Sequence, residues 1–176
     1  MLYQEALTEA MTWLGQQPDI IFVGQAVAYP GNAMYGTLSG VPMEKRLELP
    51  VMEDAQLGMS IGMALAGKTV ITIYPRFDFL LLAMNQLVNH LDHLEDFTHG
   101  QFHARVLIRV GIGSTNPLHP GIQHCSDYTL AFKKLLNHIN IIKLESPELV
   151  VPMYKHAYGE ARSSLLIEEM DKYGVV

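Results

Sequence analysis

A single cysteine, Cys125, leaves the chain without an intrachain disulfide and without a multi-cysteine metal site. Charge is scarce too. Only 17% of residues are Asp, Glu, Lys or Arg, which is not the composition of a disordered segment or a coiled coil. Basic runs are missing: 12 Lys and Arg stand against 18 Asp and Glu, for a net charge of −6. Phosphate contacts need clustered cations, so nucleic acid is not expected as a partner. The longest apolar runs, such as residues 79–84, fall far short of a membrane span. The start, Met1-Leu-Tyr-Gln-Glu-Ala6, lacks the basic and apolar regions of a signal peptide. These absences predict a soluble protein of a reducing, cytoplasmic compartment with no membrane partner.

What is present is a chain of 176 residues, 49% of them apolar, enough for one domain with a sizeable core. Ten Met and eight Tyr beside so few charges fit either a well-filled core or a buried subunit interface. Helix and strand signals alternate. Residues 3–16 place Ala6, Leu7, Ala10, Met11 and Leu14 at helical spacing. Ile20-Ile-Phe-Val23 is a short, wholly apolar run of the kind buried parallel strands show. Residues 25–49, rich in Gly, Pro and Asn, read as a long loop, which compact domains usually keep for function. Helical patterns follow at 53–65, 77–96, 128–136 and 148–162, and strands at 69–74, 105–110, 139–144 and 165–168. No internal repeat, linker or low-complexity tract interrupts them. The alternation predicts a single α/β domain with a mostly parallel central sheet and helices on both faces. Ligands in such sheets sit beyond the carboxyl ends of the strands, which points to 24–49, 74–79 and 111–126.

Several residues in those segments could carry chemistry. Glu53 opens a helix after the long loop. It is either a helix-terminus carboxylate favoured by the dipole or, if partly buried, an acid/base group. Asp78 and Phe79 follow a strand; Asp78 suits a cap, and Phe79 suits the core or a stack on a flat heterocycle. His90, His93, His99 and His103 fit a solvated helix edge better than a metal site. Among Gln123-His124-Cys125-Ser126, Ser126 lacks the strained elbow of a nucleophile, and Cys125 would be one only if its thiolate were favoured. Gly111-Ile-Gly113-Ser-Thr-Asn116 lacks the third glycine of a dinucleotide fingerprint, and Pro117 and Pro120 mark it as loop.

Taken in order, these fragments resemble one family. Glu5 to Ala10, Phe22-Val-Gly24, Leu49-Pro-Val-Met-Glu53, Gly58 to Gly67, Asp78-Phe79, Gln86 to His90, Gln123-His124-Cys-Ser126, Ser146-Pro147 and Glu168 to Gly174 run collinearly over nearly the whole chain. Together they are similar to the pyrimidine-binding domain of the transketolase-like thiamine diphosphate enzymes. The nearest subfamily is the beta subunit of the decarboxylating component of 2-oxo-acid dehydrogenases. The resemblance implies the pyrimidine module of the thiamine diphosphate-binding fold over 1–176, without the family's C-terminal transketolase domain.

It also implies roles. Glu53 corresponds to the glutamate that hydrogen-bonds the aminopyrimidine ring nitrogen and activates the cofactor. Phe79 corresponds to the aromatic that stacks on the pyrimidine, and His124 to an active-site histidine that handles protons. Gln25 stands where the subfamily usually has a glutamate, which removes an ionisable group from the proposed proton path. The Gly-Asp-Gly and downstream Asn that hold the metal and diphosphate in the family are not in this sequence. No metal site is therefore expected on this chain. Thiamine diphosphate would be shared with a separate diphosphate-binding, alpha-type subunit carrying Mg2+, in a homodimer or heterotetramer. The implied substrate is a small molecule, a 2-oxo acid or a ketose, taken through decarboxylation or ketol transfer. The alternative is a non-catalytic or regulatory homologue that binds a partner through the same fold.

Overall fold

The computed structural model describes residues 1–116 and 119–174; Pro117, which the sequence puts in a loop, lies outside the described residues. Six strands form one sheet: β1 (Ile20–Gly24), β2 (Arg46–Glu48), β3 (Thr69–Tyr74), β4 (Arg105–Ile112), β5 (Asn140–Leu144) and β6 (Ser164–Glu169). Their order is β2-β1-β3-β4-β6-β5, and every neighbouring pair is parallel. The single α/β domain with a parallel sheet is as the sequence predicts.

Alternation along the strands divides the core into two. Val23, Val70, Tyr74, Val106, Ile108, Val110, Leu165 and Ile167 face one side. There they meet α2 (Glu53–Leu65), α3 (Phe77–Leu80), α4 (Leu94–Phe97) and α5 (Thr129–Leu135) through Leu57, Ile61, Phe77, Leu80, Leu94 and Phe132. Phe22, Ile71, Ile73, Leu107 and Leu166 face the other side. They pack on α1 (Tyr3–Gly15) and α6 (Pro147–Gly159) through Leu7, Met11, Leu14, Val150 and Tyr154. Each fully buried Leu or Phe here contributes about 1.5–3 kcal/mol of transfer free energy.

Two stretches depart from the sequence reading. The loop 25–49 contains a strand, β2, and a 3-10 turn over Ala33–Leu38 that buries Met34 and Leu38. A three-residue strand is too short to show a period against a Gly- and Pro-rich background. Residues 77–96, which read as one helix, wind through α3, a 3-10 turn, wide π-type turns over Asn85–Asp92, and α4. The apolar positions Leu80, Leu87, Leu91 and Leu94 stay buried, so the pattern was correct although the winding is uneven.

The chain goes from β1 outward to β2, then returns over β1 through α2 to β3. The loops after β1 and β3 therefore leave neighbouring strand ends in opposite directions, which opens a crevice at the carboxyl edge.

Candidate functional site

The site begins where β1 stops. Gly24 lies against β3; a Cβ at this position would sit 2.7 Å from the Ile73 carbonyl oxygen, and φ is +154°, so no larger residue fits. The next turn is tight. Ala26 adopts φ +51°, a left-handed conformation that costs a non-glycine residue energy. Glu48 compensates: its carboxylate accepts the amide of Ala26 at 2.6 Å and those of Val27 and Ala28 at 2.8 Å each. Three successive amides converging on one anion make a nest. Gly31 closes on the turn so tightly that a Cβ there would lie 2.7 Å from the Ala26 methyl carbon. Arg46 donates to the carbonyl of Val41 at 2.7 Å, to that of Val27 at 3.3 Å, and to that of Leu38. Sequence reasoning missed both residues.

This anchored turn delivers Gln25 to Glu53. Gln25 Nε2 donates to Glu53 Oε1 at 3.3 Å. Glu53 opens α2 and is 7% exposed. Its Oε2 accepts no hydrogen bond from the described residues. The Tyr74 hydroxyl donates to the Glu53 backbone carbonyl at 3.3 Å. Burial, with the Glu53 charge adding to it, raises the Tyr74 phenol well above its ordinary value and keeps it a donor. Gln56, one turn along, donates to the Thr72 hydroxyl at 2.9 Å and the Ile73 carbonyl at 3.0 Å, bracing α2 on β3. Asp54 is exposed and among the described residues accepts only from Gln86, at 3.2 Å, the behaviour expected of a plain helix-start carboxylate.

Phe77 and Phe79 part ways on α3. Phe77 is fully buried against Tyr128 and Phe132 and is the core aromatic. Phe79 is half-buried, and its ring meets the His124 imidazole edge-on with centroids 5.5 Å apart. His124 Nδ1 is buried and has no hydrogen-bond partner among the described residues. Asp78 is not a cap. Its carboxylate accepts the Ser126 amide at 3.2 Å and the Tyr128 hydroxyl at 3.3 Å, which ties the His124 loop to α3. Cys125 Sγ donates to the Ser114 carbonyl at 3.6 Å and the Ser126 hydroxyl to the Ile122 carbonyl at 3.4 Å, so neither is engaged with the His124 ring.

Between these parts lies a cavity of about 290 Å³. The turn after β1 lines it with Gln25, Ala26, Gly31, Asn32 and Ala33, and the loop after β3 with Pro75, Arg76 and Phe79; Met170, after β6, completes the wall. Gln25 and Phe79 thus share this cavity, and Glu53 reaches it through Gln25. Glu53 itself lines a separate depression with Met52, Asp54, Ala55 and Leu82. Arg76 donates through Nη1 to the Gly113 carbonyl and approaches the Met170 sulfur at 3.7 Å.

The other candidates separate. His103 pairs with Glu95 and His138 with Asp96, each at 3.1 Å. Among the described residues no three His, Cys, Asp or Glu gather to hold a metal ion, and no helix is long and apolar enough to cross a membrane. Gly113 leads into irregular backbone and opens no helix.

The architecture defines the class first. The fold matches that of a split-gene transketolase, solved as an inactive beta4 tetramer, with TM-score 0.75 and 17% identity over all of this chain and 53% of that one. In sequence the chain is similar to pyruvate dehydrogenase E1 component beta subunits. The chloroplastic beta-3 form of Oryza sativa is 30% identical over 99% of this chain and 45% of its own length, and the chloroplastic beta-3 form of Arabidopsis thaliana 27% over 98% and 42%. The subunit of Gracilaria tenuistipitata is 26% identical over 99% of this chain and 54% of its own. No family model matches the chain. These likenesses bear out the resemblance to a transketolase-like pyrimidine-binding domain. The chain spans about half or less of the length of the curated relatives it matches.

Proposed function

We propose that this chain is the pyrimidine-binding part of a two-chain thiamine diphosphate enzyme that acts on a 2-oxo acid or a ketose. The observation that carries the reading is the state of Glu53. It is nearly buried, one oxygen is held by the Gln25 amide, and the other accepts no hydrogen bond from the described residues. An open acceptor on a carboxylate whose residue is only 7% exposed suits a ligand nitrogen. Two further features support the fit of an aminopyrimidine: Phe79 presents a half-buried ring to the cavity, and His124 Nδ1 is buried with no partner among the described residues.

Thiamine diphosphate, when bound, supplies a thiazolium carbon that adds to carbonyl substrates once deprotonated. This chain's part is to hold the pyrimidine end. Glu53 holds a proton at the ring nitrogen and so favours the imino tautomer. Gln25 fixes the Glu53 carboxylate by donation. Its amide has no proton to give up, so the ionisable partner usual in the subfamily is replaced by a fixed donor. Phe79 supplies a flat apolar surface. His124, oriented by the loop that Asp78 anchors, exchanges protons on the substrate side. In this reading Mg2+ and the diphosphate are held by an alpha-type partner chain, in a homodimer or heterotetramer.

The test is deuterium exchange at the thiazolium carbon in the complex reconstituted with the diphosphate-binding chain, at equal cofactor occupancy. Glu53→Gln keeps size and hydrogen bonding but cannot exchange the proton. Exchange and turnover should fall about 10²-fold or more, with only a modest loss of cofactor affinity. Equal exchange in the two proteins would leave the non-catalytic, partner-binding reading in its place.

A further inference from the structure

We propose that Tyr74 and Gln56 are positioning residues for Glu53: as a clamp between β3 and the first turn of α2, they fix where its carboxylate stands. The inference rests on the reading of Glu53 as the group that meets the cofactor, and adds what holds it there.

The start of α2 is not fixed in the usual way. Met52 occupies the N-cap position and makes no side-chain capping bond. β3 supplies the anchor instead. The Tyr74 hydroxyl donates to the Glu53 backbone carbonyl at 3.3 Å. The backbone amide of Gln56 closes the first turn on the Met52 carbonyl at 2.8 Å. The Gln56 side chain then crosses to β3, donating to the Thr72 hydroxyl at 2.9 Å and the Ile73 carbonyl at 3.0 Å. Glu53 is thus held from β3 at its own carbonyl and again three residues on. Two such points oppose both rotation and sliding of the helix start on the sheet.

The placement of these polar groups shows their use. Elsewhere the same face of the sheet is apolar, with Val23, Val70, Val106, Ile108 and Ile167. Tyr74 and Thr72 are fully buried and Gln56 is 1% exposed. A buried hydrogen bond adds little net stability, and apolar groups of the same shape serve a core nearly as well. The clamp even carries a cost, because Gln56 Oε1 is buried with no partner among the described residues. What a hydrogen bond adds over methyl packing is direction. Here that direction is concentrated within one turn of Glu53.

Two variants open the clamp at different ends. Tyr74→Phe keeps the ring and removes the hydroxyl; Gln56→Met keeps the length and removes the amide. Either one tests the proposal if the other misfolds, and failure of both to fold would overturn it by making the clamp structural. In the chain alone the reporter is the Gln25 side-chain amide, which donates to Glu53 Oε1. Its exchange with water, read by NMR, should quicken about fivefold in each variant, the factor for one lost hydrogen bond. Val150→Ala, a core loss on the opposite face of the sheet, should leave that exchange unchanged. In the complex with the diphosphate-binding chain, at equal cofactor occupancy, deuterium exchange at the thiazolium carbon should fall about tenfold in each variant, with cofactor affinity kept. With Glu53→Gln already in place, Tyr74→Phe should cost nothing more, because it acts through Glu53. Unchanged Gln25 exchange, a quickening matched by Val150→Ala, or a full further loss in the Glu53→Gln background would overturn the proposal. If Glu53→Gln by itself leaves the thiazolium exchange intact, the reading beneath fails, and Gln25 exchange still reports whether the clamp holds Glu53.

Discussion

Glu168 and Glu53 are both buried carboxylates near the carboxyl edge of one parallel sheet, and they are treated in opposite ways. Glu168, on β6, is fully buried. Arg109 grips it with two nitrogens at 2.5 and 2.9 Å, the Tyr154 hydroxyl donates at 2.5 Å, and Tyr173 donates as well. Burial, and the Glu168 charge after it, raise both phenols well above their ordinary values, so they remain donors. Arg109 reaches on to the Thr37 hydroxyl at 2.9 Å, tying β4, β6, α6 and the segment after β1 together. Glu53, by contrast, has a single amide at 3.3 Å. A carboxylate whose lone pairs are all taken holds a fold together. One left short of partners has acceptor capacity for something that is not protein. The difference separates the structural face of the sheet from the face that opens into the crevice.

The sharpest way to break that contrast is to remove Arg109. Arg109→Ala strands Glu168 in the core with only hydroxyl donors, and an uncompensated buried charge costs about 3–5 kcal/mol. Denaturant unfolding of the chain should show most of its stability lost. Replacing both partners by apolar residues of like size, Arg109→Met with Glu168→Leu, should recover much of it, because neither charge then needs burial. Glu53→Gln should behave otherwise, staying within about 1 kcal/mol of the parent in the same measurement, since a neutral amide of the same size replaces a carboxylate whose one hydrogen bond among the described residues is to Gln25. Equal losses from Arg109→Ala and Glu53→Gln would mean that Glu53 is structural after all.

Glu48 tests the crevice from the other side, with a smaller effect. Its carboxylate holds three amides and keeps Ala26 in a left-handed conformation. Glu48→Gln has one acceptor oxygen for three donors. Stability should drop by about 1–2 kcal/mol, and amide exchange should quicken at Ala26, Val27 and Ala28. Because Gln25 rides on this turn, its contact with Glu53 should loosen as well. Unchanged exchange at those three amides would show that Gly31 packing alone holds the turn.

The fate of the loop 25–49 shows what the sequence could and could not reveal. The buried strands were legible because wholly apolar runs such as Ile20-Ile-Phe-Val23 leave few alternatives. Glu53, Phe79 and His124 were legible as candidates because they stand at strand ends and helix starts. Position alone does not separate Phe77 from Phe79, and only the family resemblance singled out Phe79; that Phe77 is the core ring depends on Tyr128 and Phe132, about 50 residues away, closing over it. Arg46 and Glu48 were hidden for a related reason. They act through backbone groups of the turn after β1, and a contact between a side chain and a distant amide leaves no periodic trace in sequence. The same holds for Arg109 and Glu168, two charges in apolar strands whose pairing appears only when β4 and β6 are adjacent.

Asp171 is a third carboxylate in this comparison, and it carries the smallest expected effect. It is exposed, yet its oxygens are occupied by the Thr115 amide, the Asn116 amide and the Thr115 hydroxyl. Partial burial would raise its pKa, but those hydrogen bonds, with the Arg76 charge, outweigh burial and hold it below the ordinary aspartate value. The sign follows directly. A depressed value means that the contact stabilises the fold fully above the unfolded aspartate pKa. That contribution is lost as the pH falls through the folded value, below about pH 4. Solvent screening keeps the energy small, so the change should be local. Acidification should shift the amide resonances of Thr115 and Asn116 together, with one midpoint below that of an unperturbed aspartate, and Asp171→Asn should abolish the titration. The Gly113 carbonyl that anchors Arg76 lies two residues from Thr115, so the Arg76 signal should follow the same midpoint. If Thr115 and Asn116 titrate at or above the ordinary aspartate value, the carboxylate does not hold the loop. The exposed site would then resemble Glu53 in its open acceptor capacity more than Glu168 in its saturation.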